Sequence, residues 1–101
     1  MKLLRHPDDW GRGAIGLSAE DLADGLLFVM HQAATWPIHM EGVLLPLDVY
    51  WLSESGMVLE HAELFPWLPA YWPECVAKYV LELPMHESPQ YKVGDFVEVP
   101  P

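Results

Sequence analysis

The chain has 101 residues, about half of them apolar, which is enough for one hydrophobic core and too few for two. Fifteen acidic side chains stand against five basic ones, giving a formal charge of −10, and Lys2, Arg5, Arg12, Lys78 and Lys92 form no cluster. A phosphate backbone would be repelled by most of such a surface, so no nucleic-acid partner is expected.

The single cysteine, Cys75, allows neither an internal disulfide nor a cysteine metal cluster within one chain, and no disulfide or metal staple is needed at this length. Met1 to Leu4 starts like a signal peptide, but Arg5, His6, Asp8 and Asp9 interrupt it before an apolar run forms. No stretch reaches the roughly 18 consecutive apolar residues of a membrane span. The expectation is a soluble, cytoplasmic domain with no membrane partner.

In chain order, the first helix signal is Ser18 to Gly25, with Ser18 and Asp21 in capping-box spacing and Gly25 as a stop. Gly25 to Met30 reads as a buried strand, and Pro37 to Val43 as a second. Leu47 to Leu52 and Met57 to Leu64 form a hairpin around Ser53-Glu54-Ser55-Gly56, where Gly56 supplies a positive φ. Trp72 to Ala77, with Pro73 at its first position, predicts a single helical turn. Lys78 to Pro84 and Lys92 to Val99 are the last two strands, the final one broken by Gly94-Asp95. Ten prolines and seven glycines punctuate these elements without marking a linker.

This pattern predicts one mainly β (α+β) domain over residues 1–101, with about five to seven short strands and one or two short helical turns. Several strands are apolar on both faces, which suggests a small compact barrel-like sheet.

The residues Trp36, Met40, Pro46-Leu47-Asp48-Val49, Gly56 and Val58 follow one another in a distinctive order. Gly16-Leu17 and Gly25-Leu26-Leu27-Phe28-Val29 precede them; Ala77, Tyr79-Val80-Leu81-Glu82-Leu83-Pro84 and Val93-Gly94-Asp95 follow. In this the chain resembles the DUF192 family over about residues 12–99. The resemblance implies a compact β-rich domain like a small barrel and brings no accepted catalytic set. The chain departs from the family pattern at Gly42-Val43, where an Asn-Thr pair is common, and at Met85-His86, where Ala-Gly is common.

Asp48 is the one carboxylate in the run Leu44 to Leu52, and alternation puts it on a face with Tyr50 and Leu52. A buried carboxylate there either accepts backbone N–H groups and fastens the strand entry, or contacts a ligand at a barrel mouth. Glu82 faces with Val80 and Pro84. If the two strands were neighbours, Asp48 and Glu82 could approach each other, and paired carboxylates are the equipment of a small hydrolase.

The histidines show no metal-binding spacing, although His39 pairs with Glu41 and His61 with Glu63 on strand faces. Ser18, Ser53, Ser55 and Ser88 lie in no nucleophile elbow, and Gly11 to Gly16 spells a dinucleotide loop in the wrong context. Trp36, Trp67, Tyr71 and Trp72 fall in or beside Pro-rich loops. They either pack over a barrel end or form an aromatic platform.

The expected function is a non-catalytic binding or accessory module for a small polar ligand or a protein partner. Its candidate ligand-binding residues are Asp48, Glu82, His39, Trp36, Trp67, Tyr71 and Trp72. The alternative is a small hydrolase using Asp48 and Glu82. No catalytic residue, metal ligand or cofactor is assigned.

Overall fold

A computed structural model describes residues 1–87 and 89–101, so Ser88 lies outside the described residues. The elements in chain order are β1 (Lys2–Leu4), α1 (Pro7–Arg12), β2 (Leu26–Ala34), β3 (Leu47–Leu52), β4 (Val58–Leu64) and β5 (Ala77–Pro84). The strands form a single sheet in the order β1-β2-β5-β3-β4, in which only the β1–β2 pair is parallel.

The mainly β expectation holds, with one short helix among the described residues. The sheet is open, however: β1 and β4 are its edges, and it does not close into a barrel. The doubly apolar strands have another cause. All six residues of β3 are buried because irregular chain covers both faces of the sheet.

On the first face, Leu26, Phe28, Val49, Trp51 and Val80 pack against Ala14, Leu22, Met40 and Val43 from the connecting segments. On the second, Leu27, Tyr50, Leu52, Tyr79, Leu81 and Leu83 pack against Tyr91, Val97 and Val99 from the C-terminal segment. Covering both faces with loops gives the central strands β3 and β5 the environment of a buried sheet without the tilt that closure requires.

The hairpin forms as its sequence indicates. Gly56 has φ 91°, and Val97 O lies 2.2 Å from where a Cβ on Gly56 would sit, so the turn is also a docking point for the C-terminal segment. The strand predicted over Pro37 to Val43 is not formed. Ile38 makes one bridge to Tyr71 and Val43 one to Ile15, because this segment lies across the first face instead of pairing along an edge. Lys92 to Val99 likewise makes a single bridge, Phe96 with Met57, and covers the second face.

Ser18 to Gly25 keeps its predicted cap, with Ser18 Oγ 2.9 Å from Asp21 Oδ2, but makes successive turns without becoming an α-helix. The helical turn expected over Trp72 to Ala77 is not formed: Glu74 and Cys75 make a bend, and Ala77 begins β5. Among the described residues, no helix is long and apolar enough to cross a membrane.

Candidate functional site

The site is built around Glu82, in the central strand β5. Its sheet partners are Leu26 on β2 and Val49 on β3, so it has no polar neighbour across either ladder. Strand alternation sends the Glu82 side chain to the first face, with Val80. It is 3% exposed, and its Oε1 has no hydrogen-bond partner among the described residues. A buried carboxyl oxygen without a partner is costly, and such groups are rare in folded proteins. Burial pushes the Glu82 carboxyl up to about 8, so at neutral pH it holds a proton.

Above Glu82 lies a cleft of about 50 Å³, lined by Trp10, Arg12, Phe28, Ile38, His39 and Val43 among others. α1 builds one wall. Pro7 occupies the first turn, where its missing N–H costs nothing, and the His6 side chain accepts from Asp8 N at 3.2 Å. Trp10 is fixed by Nε1 donating to Leu4 O at 2.8 Å and by an edge-on contact with His31. Arg12 reaches back to Asp9, 2.8 Å away, and is largely exposed. Gly13 then turns the chain at φ 43°, and a Cβ there would meet Phe28 Cζ at 3.1 Å, so α1 sits tight over the cleft. His39, exposed at the mouth, comes from the segment joining β2 to β3.

Asp48 belongs to the other face. The neighbouring of β3 and β5 that the hydrolase reading required is present, but the register pairs Asp48 with Leu83 and Val49 with Glu82. Directly opposed residues share a face, so Asp48 and Glu82 point to opposite sides of the sheet. They share no cleft, so the proximity that the paired-carboxylate reading needs is not present.

Asp48 is 3% exposed and fully engaged: Oδ1 lies 2.7 Å from His61 Nε2, and Oδ2 accepts from His86 N at 2.8 Å. His61 stacks on Tyr50 with ring centroids 4.5 Å apart, and His86 reaches Glu63. The carboxylate therefore ties β3, β4 and the turn after β5 together.

The remaining candidates are dispersed. Tyr71 donates its hydroxyl to Glu60 at 2.7 Å and packs on Trp51, while Glu60 also accepts from Glu74 N and Cys75 N. The Glu60 hydrogen bond, with burial second, pushes the Tyr71 hydroxyl up to about 12. Trp36 stands beside Trp10 at 6.2 Å, and its carbonyl accepts from Trp51 Nε1. Trp67 and Trp72 are about two-thirds exposed, at 67% and 65%.

Of the seven candidates, only Glu82 and His39 line the cleft. Trp10, Arg12 and Phe28 were not singled out from sequence. Among the described residues, no three His, Cys, Asp or Glu side chains come together as a metal site.

The DUF192 family model, described as an uncharacterized ACR, matches residues 3–99. The chain belongs to the DUF192 family. That description assigns DUF192 no activity. No curated protein matches the chain.

Two solved structures share the DUF192 chain's fold. One is a protein of unknown function from Novosphingobium aromaticivorans DSM 12444, 21% identical, with a TM-score of 0.80 over 96% of this chain and 72% of that one. The other, from Sinorhizobium meliloti 1021, is provisionally named a transcription regulator. It is 23% identical, with a TM-score of 0.71 over 81% of this chain and 65% of its own, so the match spans just under two thirds of that protein. At these identities the likeness is one of fold.

Proposed function

We propose that this DUF192 domain is a non-catalytic binding module that seats a small polar ligand in the Glu82 cleft. The observation that carries the reading is the Glu82 carboxyl, buried on the floor of a cleft with Oε1 unpartnered. A ligand polar group that pairs with this oxygen removes a penalty the empty protein bears, which converts directly into affinity. The cleft has the usual make-up of a small-molecule site, with mostly apolar walls and a few polar groups.

Catalysis finds less support. Glu82 has no second carboxylate in its cleft, and Asp48 is occupied on the far side of the sheet. The lone thiol Cys75 suits a reducing, cytoplasmic setting.

A thermal-shift screen of small polar compounds tests the reading, run in parallel on the native chain and on Glu82→Gln. A true ligand raises the melting temperature of the native chain by mass action and loses that effect in the variant. Compounds that stabilise both proteins equally would place the binding site elsewhere.

A further inference from the structure

The cleft selects among polar groups. Its floor is an acceptor to which the protein supplies no donor at Oε1, and its sides are the rings of Trp10 and Phe28 and the aliphatic Ile38 and Val43. A volume of about 50 Å³ has room for a head group of roughly three or four non-hydrogen atoms, since one water needs about 10–15 Å³ on this measure.

The charged or titratable groups facing Glu82 are Arg12 from α1 and His39 from the β2–β3 connection; β2 and β3 present the apolar partners Leu26 and Val49. Arg12 is largely exposed, and its guanidinium is paired with Asp9 at the rim. An anionic head group would have to approach Glu82 across a protein of net charge −10. A compact cation meets the opposite field, an aromatic wall that attracts it, and a carboxyl that lacks donors.

We propose that the Glu82 cleft takes a primary alkylammonium group, its N–H donors on the Glu82 carboxylate and its first methylenes against Phe28, Ile38 and Val43. This rests on the cleft being the ligand site, as proposed above, and adds the ligand's class.

Proton balance gives the inference its own signature. The empty cleft holds Glu82 as the neutral acid; the bound state is a carboxylate–ammonium pair, and the acid proton passes to solvent. With a carboxyl near 8, about 0.9 proton is released per ammonium bound at pH 7, and affinity tightens roughly fivefold between pH 7 and 8. A neutral hydroxyl ligand pairs with the acid as it stands and releases none.

The test is titration calorimetry with propylammonium chloride and, separately, 1,2-propanediol. It is run at pH 7 and 8 in phosphate and in HEPES, whose differing ionisation enthalpies count the protons released. Repeating the series in His39→Asn removes the imidazole's own titration. The expected result is propylammonium binding with release of nearly one proton at pH 7, retained in His39→Asn and weakened at least tenfold in a folded Glu82→Gln.

No propylammonium binding, binding without proton release, or equal binding to Glu82→Gln overturns the ammonium class. If 1,2-propanediol binds and depends on Glu82, the ligand site stands and the class is wrong; if neither compound binds, both fail. Nα-acetyl-lysinamide separates the sources. Affinity matching propylammonium points to a lysine side chain on a partner, and tenfold weaker affinity to a free amine. Should Glu82→Gln not fold, the proton count on the native chain still decides.

Discussion

Asp48 and Glu82 lie one residue out of step across the same pair of strands, and that single step sends their carboxylates to opposite faces of the sheet. Their environments diverge accordingly. Asp48 satisfies two donors and holds three parts of the chain together, whereas Glu82 lines a cleft and its buried Oε1 has no partner among the described residues. One acid is structural and fully used; the other is available.

Asp48→Ala leaves His86 N and the His61 ring without their acceptor. The expected loss is about 1–3 kcal/mol, the cost of stranding buried donors. Urea unfolding at neutral pH measures it. An unchanged midpoint would show that water replaces the carboxylate at no cost, against its 3% exposure.

Glu82 makes folding depend on pH with an unusual sign. The unfolded chain releases this proton near 4.5 and the folded chain near 8, so the folded state binds it more tightly throughout that window. The Glu82 contribution is therefore most favourable below about pH 4.5, declines as pH rises, and levels off above about 8. Glu82→Gln, which cannot ionise, should match the native chain in stability near pH 4.5 and exceed it by an amount on the order of 4 kcal/mol at about pH 8.5. Paired denaturation curves at both pH values test this; a difference that does not grow with pH would contradict it.

Gly56→Ala puts a methyl group against Val97 O and forces a φ of 91° on an L-residue. Both effects oppose the native turn, and a loss of about 2 kcal/mol or more is expected. Because Val97 N also donates to Gly56 O, the C-terminal segment should loosen with the turn. Amide exchange at Val97 and Val58 would then speed up. Exchange as slow as in the native chain would mean that the segment is held from elsewhere.

Glu60 controls a loop. Glu60→Gln removes the charge that, through its hydrogen bond, raises the Tyr71 hydroxyl to about 12, so near-ultraviolet titration should find one tyrosine moved toward 10. Cys75 follows the same carboxylate. Burial first, and Glu60 second, push its thiol up to about 11, so alkylation by iodoacetamide at about pH 8 should be slow and should quicken in the variant. Rapid alkylation of the native chain would remove the premise.

Some of this was open to sequence reading and some was not, for physical reasons. The hairpin from Leu47 to Leu64 was legible because alternation and Gly56 act locally. Alternation also gave the correct facing of Asp48 with Tyr50 and of Glu82 with Val80. Their mutual register was not legible, since it depends on how β5 aligns after a connection that carries no period.

Ile38 and Val43, and Val97 and Val99, have strand composition yet cover the sheet, because burial selects β-branched residues whether or not the backbone pairs. α1 was hidden among Arg5, His6, Asp8 and Asp9, where charge obscured a helix capped by a histidine. The cleft joins α1, β2, β5 and a connection far apart in the chain, and no spacing rule brings Trp10 and Phe28 to Glu82.

The sheet order also carries a message about assembly in time. β5 is the last strand in the chain and the middle strand in space, with β2 on one side and β3 on the other. Until residues 77–84 are available, β1–β2 and the β3–β4 hairpin are two separate pieces with no edge in common. The ladders that join them are non-local, so loop closure from residue 52 to residue 79 on one side and from residue 34 to residue 77 on the other must precede the reward from each pairing. Folding should wait on this one strand, and the strand that completes the sheet is the one that carries Glu82 to its floor.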